Sequence, residues 1–420
     1  FTYNRLRDNS TLRAKFYIIN FDEPERSHRC NPLLASSLND ITDAYESAYS
    51  MMLNLNRSWI KKQGDFFVES PINIVTACIW FLKRYDQGQY CTLPHVIELL
   101  TSPYEEMFPV LLDHPELEVY MQPFVSAYKR GTFDQLEGQI ASARIGMARL
   151  VSPPLYWVMS GNDFTLDINN PNDPKILCLA NNEERRAVYG AALGLYNSRL
   201  IRMINKPGKI PCGVIIDELP TIFFRGLDHL INTARSNLVA VLLGFQDFSQ
   251  LVRDYGREEA TVIKNTIGNV FVGNVVGETA KELSQRFGKI KQKQHSHSIT
   301  TTGTTENLSS RMDTRIPDSV MSELSQGTFV GTVADSKEIK IKLKVFHADV
   351  KVDGLLIQRE NNSEQPIPAF RQQAFLDAAG RNCKEKVLQE NFEKIRQDVK
   401  NILQSELKRI QNNDQGEFAA

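Results

Sequence analysis

Gly213-Val-Ile-Ile-Asp-Glu218 decides how the rest of this chain is read. Four apolar residues ending in two adjacent carboxylates suit a buried strand that delivers an acidic pair at its end. Such a strand can serve as a Walker B element, in which the first carboxylate joins a Mg2+ shell and the adjacent Glu polarises a water. The fragment alone decides little, because many buried strands end in an acidic pair that only caps the next turn.

Its neighbours add weight. Val239-Ala-Val-Leu-Leu-Gly-Phe-Gln246 reads as the next strand and ends in an amide, at the edge where open α/β sheets bind their ligands. Gln246 is a candidate sensor of a γ-phosphate; the plainer reading is a helix start with Asp247 as its cap. Arg235, in Thr233-Ala-Arg-Ser-Asn237, falls at the end of the intervening helix. It is a candidate arginine finger donated to a neighbouring subunit. A cation near a helix C-terminus is also favourable by itself.

Outward from this core, short apolar runs alternate with helical patterns. Phe16–Phe21, Lys175–Ala180, Leu238–Leu243, Asn269–Val275 and Thr328–Val333 read as strands. Helices are expected over about 184–204, 227–236, 248–265 and 278–287. That rhythm predicts an α/β fold with a mostly parallel sheet. From about Asn39 to Ser152 the character is helical throughout, with Ile41, Tyr45, Ala48, Met52 and Leu55 on one face. Ser102-Pro-Tyr-Glu105 looks like a capping box with Pro at the first helical position. Lys291–Asn307 is polar and reads as a mobile loop or loose hairpin. Ile339–Phe346 alternates like a half-buried edge strand, its Lys340, Lys342 and Lys344 guarding the edge. Past Gly354 the chain turns polar. Leu388, Phe392, Ile395, Val399, Ile402, Leu407 and Ile410 then mark a long charged helix, read either as a coiled coil or, as the imperfect heptad favours, as a helix packed back on the body.

Bulk composition excludes little. Lys and Arg number 49 against 50 Asp and Glu, so any contact with nucleic acid is local. The six cysteines contain no CxxC pair and read as buried reduced thiols, as in a reducing compartment. Seven dispersed histidines suggest no metal site. The longest apolar runs, near Ile72–Leu82 and Leu238–Phe245, fall short of a bilayer span. The sequence begins at Phe1, inside what reads as the end of a helix (Phe1–Lys15), and a longer natural protein is expected upstream.

The order Val214-Ile-Ile-Asp-Glu-Leu-Pro-Thr221, then Thr233–Asn237, then Gly244-Phe-Gln-Asp-Phe-Ser-Gln-Leu-Val-Arg-Asp-Tyr-Gly256 resembles the type IV secretion coupling proteins of the TraG/TraD class. Asn265–Asn269, Ser325–Gly331 and the early Phe21-Asp22 with Asn31-Pro32-Leu33 resemble that family too, in the form carried by conjugative transposons, over roughly residues 1–350. The resemblance implies a RecA-like P-loop NTPase core in residues 1–34 and 161–355. It also implies an inserted all-α domain in 35–160, implicated in substrate contact, and leaves 356–420 as a polar linker and C-terminal helix. It implies ATP and Mg2+, with Asp217 coordinating Mg2+ through water, Glu218 the catalytic base, Gln246 the sensor and Arg235 the trans finger. It further implies a homo-hexamer at the cytoplasmic face of the bacterial inner membrane. That hexamer pumps DNA and links a relaxase–DNA complex to inner-membrane components of the secretion channel.

Two departures stand against the family pattern. Asp22-Glu-Pro-Glu-Arg26 replaces Asp-Pro-Lys-Gly-Glu, so no nucleotide role is given to Asp22. No G-x-x-x-x-G-K-[ST] phosphate loop occurs in the 420 residues. In the family it precedes the position of residue 1, and this polypeptide alone is expected to bind ATP poorly. Lys289–Lys293 is a basic stretch that could line a DNA channel, with a solvated loop as the default. The alternatives are a non-hydrolysing substrate-docking module and a chromosomal RecA-like DNA translocase.

Overall fold

A computed structural model of the chain describes residues 2–7, 13–62, 64–300, 303–335, 339–341 and 344–417. Two compact units result, Phe1–Leu243 with Gln365–Ala420, and Gly244–Glu364.

The first unit opens with helix α1 (Thr2–Arg7) and strand β1 (Lys15–Ile19). Among the described residues the α-helices that follow are α2 (Ile41–Leu55), α3 (Phe66–Arg84), α4 (Leu93–Thr101), α5 (Tyr104–Leu112), α6 (Glu118–Lys129), α7 (Phe133–Ala148) and α8 (Pro153–Met159). Strand β2 (Lys175–Leu179) returns to pair in parallel with β1, from Lys15 against Lys175 to Ile19 against Leu179. Helix α9 (Arg186–Ile204) leads to β3 (Cys212–Ile216), and α10 (Leu227–Thr233) to β4 (Val239–Leu243). Strands β3 and β4 are also parallel, Cys212 opposite Val239 and Ile216 opposite Leu243. The strand-then-helix rhythm thus gives parallel pairs, as expected of an α/β core.

Helix α2 starts at Asp40, whose carboxylate accepts the Thr42 N–H. Its burial is wider than the predicted stripe, taking in Ser47, Ser50 and Asn54, because both α3 and α9 pack against it. Helix α3 is long and apolar enough to cross a membrane, yet 72% of that stretch is buried within the protein. It is a core helix. The expected capping box at Ser102 does not form. Pro103 itself occupies the N-cap of α5, and the Ser102 hydroxyl donates to Glu98 O at the end of α4. Cys30, Cys78 and Cys91 are buried free thiols, and burial pushes Cys78 and Cys91 up to about 12.

The second unit begins with α11 (Phe248–Tyr255) and α12 (Arg257–Thr266). The single helix expected over 248–265 is broken at Gly256, whose φ of 85° only glycine adopts without strain. Strand β5 (Val270–Val272), helix α13 (Gly277–Phe287), strands β6 (Lys289–Thr300) and β7 (Gly303–Thr314) and helix α14 (Asp318–Ser322) follow. Strands β8 (Thr328–Thr332) and β9 (Val345–Asp349) and helix α15 (Gly354–Ser363) complete the unit. Strands β5, β8 and β9 form an antiparallel sheet in the order β5-β8-β9. Val272, Leu283, Phe287, Met321 and Val330 make the core beneath it. The stretch expected to be a loop or loose hairpin is a regular antiparallel hairpin, β6 against β7 from Lys289–Thr314 to Thr300–Gly303. The edge strand expected over Ile339–Phe346 begins later, at Val345. Lys344 instead pairs with Asp335, Lys340 is exposed, and Lys342 lies outside the described residues.

From Gln365 the chain is again part of the first unit. Arg371 pairs with Asp163, and Lys384 with Glu25 at 2.6 Å. Helix α16 (Lys384–Glu417) then packs along α8, α4 and α5. Leu388, Ile395, Val399 and Ile402 are buried there, and the Phe392 ring lies 4.9 Å from that of Tyr156. The predicted stripe is therefore an intramolecular seam.

That seam holds a titratable weak point. His95 on α4 accepts or donates through Nδ1 to the Thr92 hydroxyl, lies beside the Tyr90 ring, and sets Nε2 3.8 Å from Asp398 of α16. Burial, with the Lys394 ammonium adding to it, depresses His95 from 6.5 to about 4. A folded value below the unfolded one means stability present above about pH 6.5 and lost as pH falls toward 4. Burial raises Asp398 and acts with the opposite sign. We expect the urea midpoint to drop between pH 7 and pH 5, and His95→Gln to flatten that slope. An equal slope in His95→Gln would assign the loss elsewhere.

Candidate functional site

Strand β3 buries Val214 and Ile216 and exposes Gly213 and Ile215, so the alternation leaves Asp217 exposed just beyond its C-terminal end. Glu218 follows in the left-handed region, φ 54° and ψ 56°. That conformation costs a non-glycine residue about 1–3 kcal/mol and persists only where its surroundings dictate it. Here the surroundings are explicit. Thr221 N–H donates to Glu218 O at 2.9 Å, and Leu219, Pro220, Phe223 and Phe224 are buried behind the turn.

Side chains from two remote helices take up the backbone of that turn. Arg57, just past α2, donates to Pro220 O at 2.7 Å and Thr221 O at 2.6 Å. Arg186, opening α9, donates to Pro220 O at 2.8 Å. Asn54 donates to Phe223 O at 2.5 Å and accepts from Phe223 N–H at 3.1 Å. Gly194 of α9 makes the approach possible, since a Cβ there would fall 2.7 Å from Phe223 O. Sequence reading missed Asn54 and Arg57. The available signals were an amide inside an apolar stripe and the Gly190-x-x-x-Gly194 spacing on α9.

The first turn of α9 also holds the end of β1. Asp22 accepts from Arg185 at 3.1 Å, from the Tyr189 hydroxyl at 2.8 Å and from Asn182 at 2.8 Å. Its carboxylate is thus committed to protein partners. Since Arg186 reaches Pro220, one helical turn ties the ends of both parallel pairs together.

The four site residues predicted from sequence are placed unequally. Asp217 and Glu218 share the C-terminal end of β3. Arg235 is exposed on the turn between α10 and β4. Because β3 and β4 are parallel, that turn lies at the opposite end, about 15 Å of strand away. Arg235 therefore cannot serve the Glu218 of its own copy. Strand β4 ends at Leu243, so Gln246 stands three residues past it, in the second unit, rather than on the strand. It directly precedes Asp247, which does cap α11 by accepting from Ser249 N–H.

Asp217 and Glu218 offer hard oxygen donors of the kind Mg2+ takes. Among the described residues no three His, Cys, Asp or Glu side chains converge to hold a metal outright.

Residues 211–324 match the family described as the TraM recognition site of TraD and TraG. No curated protein matches the sequence. Among solved structures, the bacterial conjugative coupling protein TrwBdeltaN70, unbound monoclinic form, aligns with a TM-score of 0.60 and 14% identity, covering 81% of this chain and 74% of that one. TrwB in complex with the ATP analogue ADPNP gives 0.59 and 14% over 81% and 75%. TrwB in complex with ADP and Mg2+ gives 0.58 and 13% over 81% and 74%. At these identities the likeness is one of fold. Together with the family match over 211–324 it bears out the resemblance to the TraG/TraD class and an α/β fold with a helical region.

Proposed function

We propose that this chain, TraG/TraD-like over 211–324 and TrwB-like in fold, is the motor region of a conjugative coupling protein. In this reading it hydrolyses ATP to move DNA and to bring a relaxase–DNA complex to a type IV secretion channel. The observation that carries the reading is the Asp217-Glu218 pair leaving a parallel strand into a turn that is pinned from three sides. Asp217 would hold Mg2+ through water. Glu218 would orient and deprotonate the attacking water, Gln246 would sense the γ-phosphate, and Arg235 would reach the site of the next subunit in a homo-hexamer. When bound, Mg2+ would offset charge on the phosphates.

TrwB itself has been solved with ADPNP and with ADP and Mg2+, which supports the same ligands here. Residues 35–160 are assigned to substrate contact, 1–34 and 161–355 to the nucleotide-binding core. The 211–324 segment is a candidate docking site for a protein partner of the transferred DNA, as its description in TraD and TraG suggests. The cytoplasmic face of the inner membrane is the proposed location.

One observation favours a second reading, a docking module without hydrolysis: the 420 residues contain no phosphate-loop motif. Nucleotide binding by the complete gene product separates the two. Under the motor reading, Mg2+ tightens ATP binding in the wild type and Asp217→Asn loses most of that Mg2+ dependence. Absence of any ATP binding by the wild type would leave the docking module.

A further inference from the structure

Asn54 and Arg57 belong to the helical region, yet their hydrogen bonds end on the backbone of the turn that carries Glu218. Within that turn Thr221 N–H donates to Glu218 O and Ile222 N–H to Leu219 O, and the side chains of Asn54, Arg57 and Arg186 take up Pro220 O, Thr221 O and the Phe223 amide and carbonyl. The Asn54 amide is itself oriented by α2, because Nδ2 also donates to Ser50 O at 2.8 Å. Ser50 in turn donates to Gly194 O at 3.3 Å, locking α2 to α9 at the point where the missing Cβ of Gly194 admits Phe223. Arg57 is only half-buried and spans two successive carbonyls, a geometry that a planar guanidinium holds and a lysine cannot.

We propose that Asn54 and Arg57 are positioning residues for Glu218: they clamp the turn so that the Glu218 backbone stays left-handed, and the helical region thereby sets whether the carboxylate is in register for chemistry. The proposal rests on the reading of Glu218 as the general base. A load placed on the helical region, such as docked substrate, acts on the site through this clamp. The contacts are direct, so no longer chain of residues is needed.

Two measurements test it together. In this chain, hydrogen exchange at Thr221 and Phe223 should quicken by about tenfold or more in Asn54→Ala and Arg57→Ala, with α3 amides unchanged. In the complete gene product, Arg57→Ala should lower kcat about tenfold or more with KM for ATP nearly constant, and Arg57→Lys should recover part of the loss. Arg57→Ala should cost nothing further in a Glu218→Gln background. A loosened turn with unchanged kcat would overturn the proposal, as would an Arg57→Ala loss that persists undiminished in Glu218→Gln. A kcat loss in Arg57→Ala alongside normal turnover in Glu218→Gln would sink the assignment of Glu218 and leave the clamp serving another group.

Discussion

Glu218→Gln in the complete gene product is expected to lower kcat for ATP hydrolysis by roughly 10²–10⁴-fold while ATP binding persists. The substitution keeps the size of the side chain and its ability to accept a hydrogen bond, and removes the charge that draws a proton from water. The left-handed backbone at Glu218 is held by Asn54, Arg57 and Arg186 acting on the residues after it, so the amide should occupy the carboxylate's place. Binding and chemistry then separate: filter binding with labelled ATP stays near wild type, and phosphate release stops. Loss of both together would mean that the turn, not the carboxylate, had been damaged.

Arg235→Ala is expected to cost as much and to do so across subunits. An arginine finger contributes roughly 10³–10⁵ to kcat where it meets the developing charge on the phosphoryl group. The structure puts Arg235 at the opposite end of the β3–β4 pair from Glu218, on an exposed turn, so under the proposed motor reading the phosphoryl group it meets would be held by another copy. Mixing Arg235→Ala with wild type should therefore depress turnover well below the wild-type fraction present. Mixing Arg235→Ala with Glu218→Gln should restore some sites, since each supplies what the other lacks. Turnover that simply tracks the wild-type fraction would return Arg235 to the plainer role of a cation near a helix C-terminus.

How far the sequence was legible depends on the range of the contacts. Strands at 175–179 and 212–216 were read to within a residue or so, because a short β-rich run between turn signals is a local pattern. The stripe from Leu388 to Ile402 was equally plain and found its partners on α4, α5 and α8. Ser102 misled because a capping box and a helix-ending hydroxyl share the same residues; Pro103 took the N-cap itself. The 289–314 hairpin was blurred by its polar composition, which carries no apolar alternation to mark the strands. At the candidate site the acidic pair was visible and its support was not. Asn54 and Phe223 are far apart in sequence, and nothing local to either announces their pairing. Gln246 was placed on a strand that stops three residues earlier, since Gly244 and Phe245 prolong the apolar run after the ladder has ended.

The central claim, that the pinned Asp217-Glu218 edge belongs to an ATP-driven DNA motor, is tested most directly by steady-state ATP hydrolysis of the complete wild-type gene product with and without DNA. The account predicts turnover that DNA raises severalfold, with the increment falling steeply as salt is raised, because the DNA would be held through its phosphates. Turnover absent under all conditions, or present and indifferent to DNA, would contradict it.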